Sequence, residues 1–188
     1  ILWALRGDGR QDIFSATEPA GLWSTSGSRA CLDDPGALGA CVDSVGPFAD
    51  LWVAASDDAW AVGHHGLVLH YDGSRWRRIV IPTISAPPLN NYDFRGVWGA
   101  GEVTFVVGER HTPERWELVI VMYNARLGRW FAPQRLLSLP DAPEVRDATR
   151  LFDVGGRGDG EIYCVGGRWE ASVARQRAVI FSRVAPSP

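Results

Sequence analysis

The sequence predicts an all-β chain built from four similar units, and three observations predict it. Leu2-Trp3, Leu51-Trp52, Val97-Trp98 and Leu151-Phe152 recur at spacings of 49, 46 and 54 residues, so four units of about 47 residues fill the 188. Each pair is followed by a β-prone segment that opens after a Gly- or Asp-bearing turn. No segment holds a sustained 3.6-residue apolar period, which removes the helical reading. The units span about residues 1–48, 49–94, 95–147 and 148–188, within one repeat domain.

In the second unit the punctuation is clearest. Strands are expected at about Leu51–Ala55, Ala59–His64, Leu67–Tyr71 and Arg75–Ile81, separated by Asp57-Asp58, His65-Gly66 and Asp72-Gly73-Ser74. The other units repeat the second strand as Ile13-Phe14-Ser15-Ala16, Val103 to Gly108 and Ile162 to Gly166. Third strands follow at Leu118–Tyr123, at Ala178–Phe181 and, weakly, at Gly21–Trp23. One four-stranded sheet cannot bury both of its faces. Radial stacking of such sheets buries Trp, Phe and Val between neighbours, which is the logic of a β-propeller. Of the nine Trp residues, Trp3, Trp52, Trp60 and Trp98 then take positions expected to pack between blades.

Composition bounds the function. The chain is 46% hydrophobic and 22% charged, the profile of a folded core. Nineteen basic residues, all Arg, stand against 22 acidic ones for a net charge of -3, which argues against nucleic acid or an acidic membrane surface as a partner. The longest aliphatic run, Leu118 to Met122, is far too short for a spanning helix. A Ser-nucleophile elbow, a P-loop and a dinucleotide fingerprint are all missing, and no catalytic residue, cofactor or metal is assigned.

Ile162-Tyr163-Cys164-Val165-Gly166-Gly167 resembles the double-glycine end of the second strand in kelch repeats. Tyr123 and Trp130 resemble that family's spaced Tyr and Trp, and Trp60-Ala61-Val62-Gly63 with His70-Tyr71-Asp72-Gly73 and Trp76 is similar to tandem repeats of large bacterial surface and secreted proteins. The resemblance implies a kelch-like bacterial propeller, either four-bladed and complete or a fragment of a larger one. It also implies a module that binds protein or carbohydrate more often than an enzyme. The chain opens at Ile1 inside a first strand and its fourth unit lacks a fourth strand, so a piece cut from a longer array, with open ends able to self-associate, is the favoured expectation.

Cys31 and Cys41 flank a Gly/Pro/Asp-rich loop that can bring its ends together. A disulfide there would contribute about 2–3 kcal/mol and place the chain outside the cytoplasm, in the periplasm, at the cell surface or in the medium; the alternative is two reduced thiols. Cys164 falls in a strand and reads as a buried thiol. The turns joining second and third strands gather reactive side chains: Glu18; His64 and His65; Glu109, Arg110 and His111 with Trp116; and Arg168, Trp169 and Glu170. All would meet at one mouth of the stack, where Trp116 and Trp169 could stack on a sugar ring or anchor a partner protein. A metal held by His64 or His65, His111 and Glu109 is the weaker alternative, since adjacent histidines point apart. Asp33, Asp34 and Asp43 lack the spacing of a calcium loop. The Arg-Gly-Asp tripeptides at 6–8 and 157–159 stand where Gly and Asp serve turn geometry. The expected function is a non-enzymatic binding or scaffold module. The alternatives are a glycan hydrolase using Glu18, Glu109 or Glu170, and a purely structural array segment.

Overall fold

In β5 (Asp58–Gly63) the side chains alternate: Ala59 and Ala61 face one side, Trp60 and Val62 the other, and all four are buried. A strand buried on both faces needs a layer on each side, and the computed structural model supplies them. It describes residues 2–5, 13–16, 24–25, 48–74, 76–82, 91–113, 116–131, 149–157, 161–170 and 175–184. All regular structure there is β, in four antiparallel sheets. Among these residues no helix is long and apolar enough to cross a membrane.

The first sheet holds β1 (Leu2–Leu5), β2 (Ile13–Ala16) and β3 (Ser24–Thr25). The second runs β4 (Phe48–Ala55), β5, β6 (Val68–Tyr71), β7 (Trp76–Arg78) in hydrogen-bonded order. The third runs β8 (Tyr92–Ala100), β9 (Val103–His111), β10 (Trp116–Asn124), β11 (Arg129–Phe131). The fourth holds β12 (Thr149–Gly156), β13 (Glu161–Glu170) and β14 (Arg175–Val184). Each is a meander of neighbouring strands, so the four-unit reading becomes four sheets in chain order.

Cores form between sheets. Trp60, Val62 and Val68 of the second sheet pack on Tyr92, Phe94, Val97, Val106 and Val121 of the third. The opposite face of the third sheet, with Phe105, Val107 and Ile120, packs on Leu151, Val154, Ile162 and Cys164 of the fourth. At roughly 1.5–3 kcal/mol for each large apolar side chain, these two seams are the principal stabilisation of the described stack. Trp52 and Trp98 pack beside them. A methyl group on Gly99 would lie 2.7 Å from Trp52 Cζ3, and one on Gly156 would lie 2.6 Å from Trp98 Cη2. Each Trp therefore lies over a glycine of the next sheet.

Three details differ from the sequence reading. Aligning Leu151-Phe152 with Val97-Trp98 is off by three residues. Gly108 pairs with Phe94 and Gly166 with Leu151, each beside a bulge, so Val154-Gly155 are the counterparts of Val97-Trp98. The bulge recurs at the same place in the second, third and fourth sheets and leaves the alignment unchanged; Leu151-Phe152 matched because it repeats the aliphatic–aromatic pair at the wrong register. Secondly, β9, β10 and β13 run on through Glu109, Arg110, His111, Trp116, Arg168, Trp169 and Glu170, which are strand residues and not turn residues. Gly108 and Gly166 do not end their strands; they admit the close approach of a neighbouring backbone. Thirdly, the described third strand of the first unit is Ser24–Thr25, while Gly21–Trp23, where it was expected, lie outside the described residues. Cys31, Cys41, Glu18, Asp33, Asp34, Asp43 and the Arg-Gly-Asp segments apart from Arg157 lie outside the described residues.

Candidate functional site

Asp93 and Glu109 sit directly opposite each other across β8 and β9. Both are buried, Glu109 to 1% exposure. Two facing carboxylates out of water need cations and donors, and three sheets supply them.

Arg95, the bulge residue of β8, is the centre of this arrangement. Its NH2 donates to Glu109 Oε1 at 3.0 Å and lies 3.5 Å from Asp93 Oδ2. Its NH1 lies 3.0 Å from His64 Nε2. A guanidinium can only donate, so His64 Nε2 accepts, which fixes this imidazole as the neutral tautomer with its proton on Nδ1. That Nδ1–H points to Asp93 Oδ1 at 3.2 Å. The backbone N–H of His65 donates to the same oxygen at 3.2 Å, and Gly66 N–H donates to Tyr92 O at 2.7 Å. These bonds clasp the β5–β6 turn onto β8. They also hold His65 at φ 56°, a left-handed conformation that costs a non-glycine residue about 1 kcal/mol or more. From the fourth sheet, Arg150 Nε reaches to 3.6 Å from Glu109 Oε2.

His111 closes the group, with Nε2 3.4 Å from Asp93 Oδ2 and 3.9 Å from Glu109 Oε1. Burial holds it below the ordinary imidazole range, opposed by the charges of Asp93 and Glu109. The folded chain therefore binds fewer protons here than the unfolded chain near the ordinary value of 6.5. The stability this confers is present above that value and lost as pH falls through and below it. Melting temperature should fall between about pH 7 and about pH 5, and His111→Gln, which cannot titrate, should flatten that slope. An unchanged slope would assign the pH response elsewhere.

Of the residues expected at one mouth, His64, Glu109 and His111 meet through Asp93. His65 is adjacent and exposed, while His64 is half-buried against Asp93 and Arg95. Arg110 turns to the other face of β9, where its NH1 lies 3.5 Å from Glu117 Oε2 and its guanidinium lies over the Tyr92 ring at 5.8 Å. Trp116 is placed opposite His111 by register. Arg168 is placed opposite Thr149, Trp169 opposite Gln176, and Glu170 opposite Arg175. Since Gly166 corresponds to Gly108, Trp169 holds the place on the fourth sheet that His111 holds on the third.

Asp93, Arg95 and Arg150 are absent from the sequence reading. Their signal is departure from the repeat: Asp93 and Arg95 flank Phe94 where the second unit has Pro47 and Ala49 around Phe48. Among the described residues, Asp93, Glu109 and His111 each bring a ligand atom within 4.8 Å of the others, a spacing compatible with a metal ion. Arg95 NH2 already lies against both carboxylates, however, so a cation entering between them would meet a guanidinium charge. Cys164 is the single free cysteine among the described residues; burial pushes its thiol up to about 11, which makes it unreactive. No protein-family model matches the chain, and no curated protein matches it.

Proposed function

We propose that the chain is a non-enzymatic binding module of β-propeller type, taking a protein or glycan ligand at the end of the stack that carries this polar cluster. The observation that carries the reading is convergence: His64, Asp93, Arg95, Glu109, His111 and Arg150 come from three successive sheets to one place. Turns and strand ends held this way by a rigid β scaffold are where such folds present ligand contacts. Half-buried Arg95 has more N–H groups than its contacts with His64, Asp93 and Glu109 use, and these can serve a ligand's oxygens, while Trp116 and Trp169 stand at the same strand ends as apolar anchors. Pairing of Arg95 with both Asp93 and Glu109 favours binding over hydrolysis, because both carboxylates already face a guanidinium of the protein and not a ligand.

The kelch-like ancestry, action outside the bacterial cytoplasm and a Cys31–Cys41 disulfide belong to the same proposal. They rest on the repeat motifs and on the loop between the cysteines. An array of glycans and surface-protein fragments tests it. The wild-type chain should bind saturably and release no product from a panel of glycosides. The double variant Trp116→Ala/Trp169→Ala should lose about tenfold or more in affinity, the scale of one lost aromatic anchor. Unchanged binding in that variant would place the ligand on another face.

A further inference from the structure

Charges in the polar cluster are layered. The side chains of Glu109 and Asp93 are 1% and 12% exposed, whereas those of Arg95 and Arg150 are 28% and 44% exposed. The acids are the floor, and the guanidinium groups stand nearer solvent. A group arriving from solution therefore meets N–H donors and positive charge before it meets a carboxylate. Cations are repelled there, and an oxygen bearing negative charge is drawn in.

The floor also fixes the arginines. Glu109 presents Oε1 to Arg95 NH2 at 3.0 Å and Oε2 to Arg150 Nε at 3.6 Å. One buried carboxylate thus gathers a guanidinium from the third sheet and another from the fourth. From the second sheet, His64 Nε2 holds Arg95 NH1 at 3.0 Å. A guanidinium has five N–H groups. Among the described residues, Arg95 NH1 has the single acceptor His64 Nε2, NH2 faces Glu109 Oε1 and Asp93 Oδ2, and Nε has no acceptor. Nε and one N–H of NH1 are left to a ligand, on a side chain already held in place. Such preorganisation lowers the entropic cost of binding.

We propose that the ligand of this site is an acidic glycan, the carboxylate of a uronate residue seated on Arg95 and Arg150 and the chain of sugar rings lying along the strand ends that carry Trp116 and Trp169. This inference rests on the binding-module reading and names its ligand. A uronate brings a planar carboxylate and a sugar ring in one residue, which suits guanidinium groups beside tryptophan positions. An Asp or Glu of a peptide brings the carboxylate without the ring. A net charge of -3 gives the chain no general affinity for polyanions, so the attraction belongs to this spot.

Calorimetric titration with three probes tests it: an oligouronate, the same oligomer reduced at its carboxyl groups to neutral sugars, and an oligoglutamate peptide. The oligouronate should bind saturably and more weakly as salt is raised, and its reduced form should bind about tenfold or more weakly. Arg150→Gln, at an exposed site, should cost the oligouronate about tenfold and the reduced form nothing, and Arg150→Lys should recover part of the loss. Arg126→Gln, exposed in the turn at the other end of β10, should change neither. Should Arg150→Gln melt far below the wild type, the salt series and the reduced oligomer decide the matter on the wild-type chain. Equal affinity for the oligouronate and its reduced form, or tighter binding of oligoglutamate, would overturn the acidic-glycan assignment and leave the binding-module reading standing. A chain that binds none of the three probes, nor anything on the array of glycans and protein fragments, would overturn both.

Discussion

Gly108→Ala is expected to destabilise the protein by about 3 kcal/mol or more, the upper range for forcing an atom into packed backbone. In this chain length that is a fall of about 10 °C in melting temperature. A Cβ at Gly108 would run into the carbonyl oxygen of Asp93 and lie 2.7 Å from Phe94 Cα. Both obstacles are main chain of the paired strand, so no side-chain rotation relieves the clash and the β8–β9 ladder must open. Gly166 is built the same way against Arg150 O, with Leu151 Cα at 3.2 Å, and Gly166→Ala should behave alike in the fourth sheet. Gly101→Ala is the control: nothing lies near its Cβ, and its φ of 57° leaves only the modest cost of a left-handed Ala. Thermal melts of the three variants decide it, and a Gly108→Ala melt no lower than that of Gly101→Ala would show that the ladder can yield. Because Gly108 lies between the bulge of Arg95 and the carboxylate of Glu109, the same substitution should also disturb the polar cluster.

These glycines mark the limit of what the sequence discloses. Recurring aromatic pairs and short β-prone runs, punctuated by Asp-Gly and His-Gly turns, were sufficient to read four β-rich units and the strands of the second to within a few residues. The same residues form the seams, so Trp52, Trp60 and Trp98 pack where the repeat implied. Bulges were invisible, because a bulge changes which residues face each other without changing composition. A glycine that ends a strand and one that admits a neighbouring backbone look identical in a sequence, and so Glu109 to His111 and Arg168 to Glu170 read as turns. The candidate site was legible only in its histidines and Glu109. Asp93 and Arg95 lie 16 and 14 residues before Glu109 in the chain, and only strand pairing brings them beside it. The one trace they leave in the sequence is a failure to match the repeat, which the reading did not use.

Arg95→Ala should be the most damaging change at the polar cluster, costing about 3 kcal/mol, the lower end for removing one partner from a buried charged group. Asp93 and Glu109 carry two negative charges on facing positions, and Arg95 with Arg150 carries two positive ones. Without Arg95 the nearest guanidinium is that of Arg150, at 3.6 Å from Glu109 Oε2 and too far for a hydrogen bond. Glu109, at 1% exposure, cannot turn to water for compensation. His64 would also lose the donor that fixes its tautomer. Arg95→Lys keeps the charge but not the fork, since a single ammonium does not reproduce the spacing of NH1 on His64 and NH2 on Glu109, and it should recover only part of the loss. The decisive measurement is a double-mutant cycle with Glu109→Gln. If the cost of Arg95→Ala is a stranded carboxylate, removing that charge should restore much of the lost stability. Additive losses would instead mean that Arg95 acts through packing of its aliphatic stem.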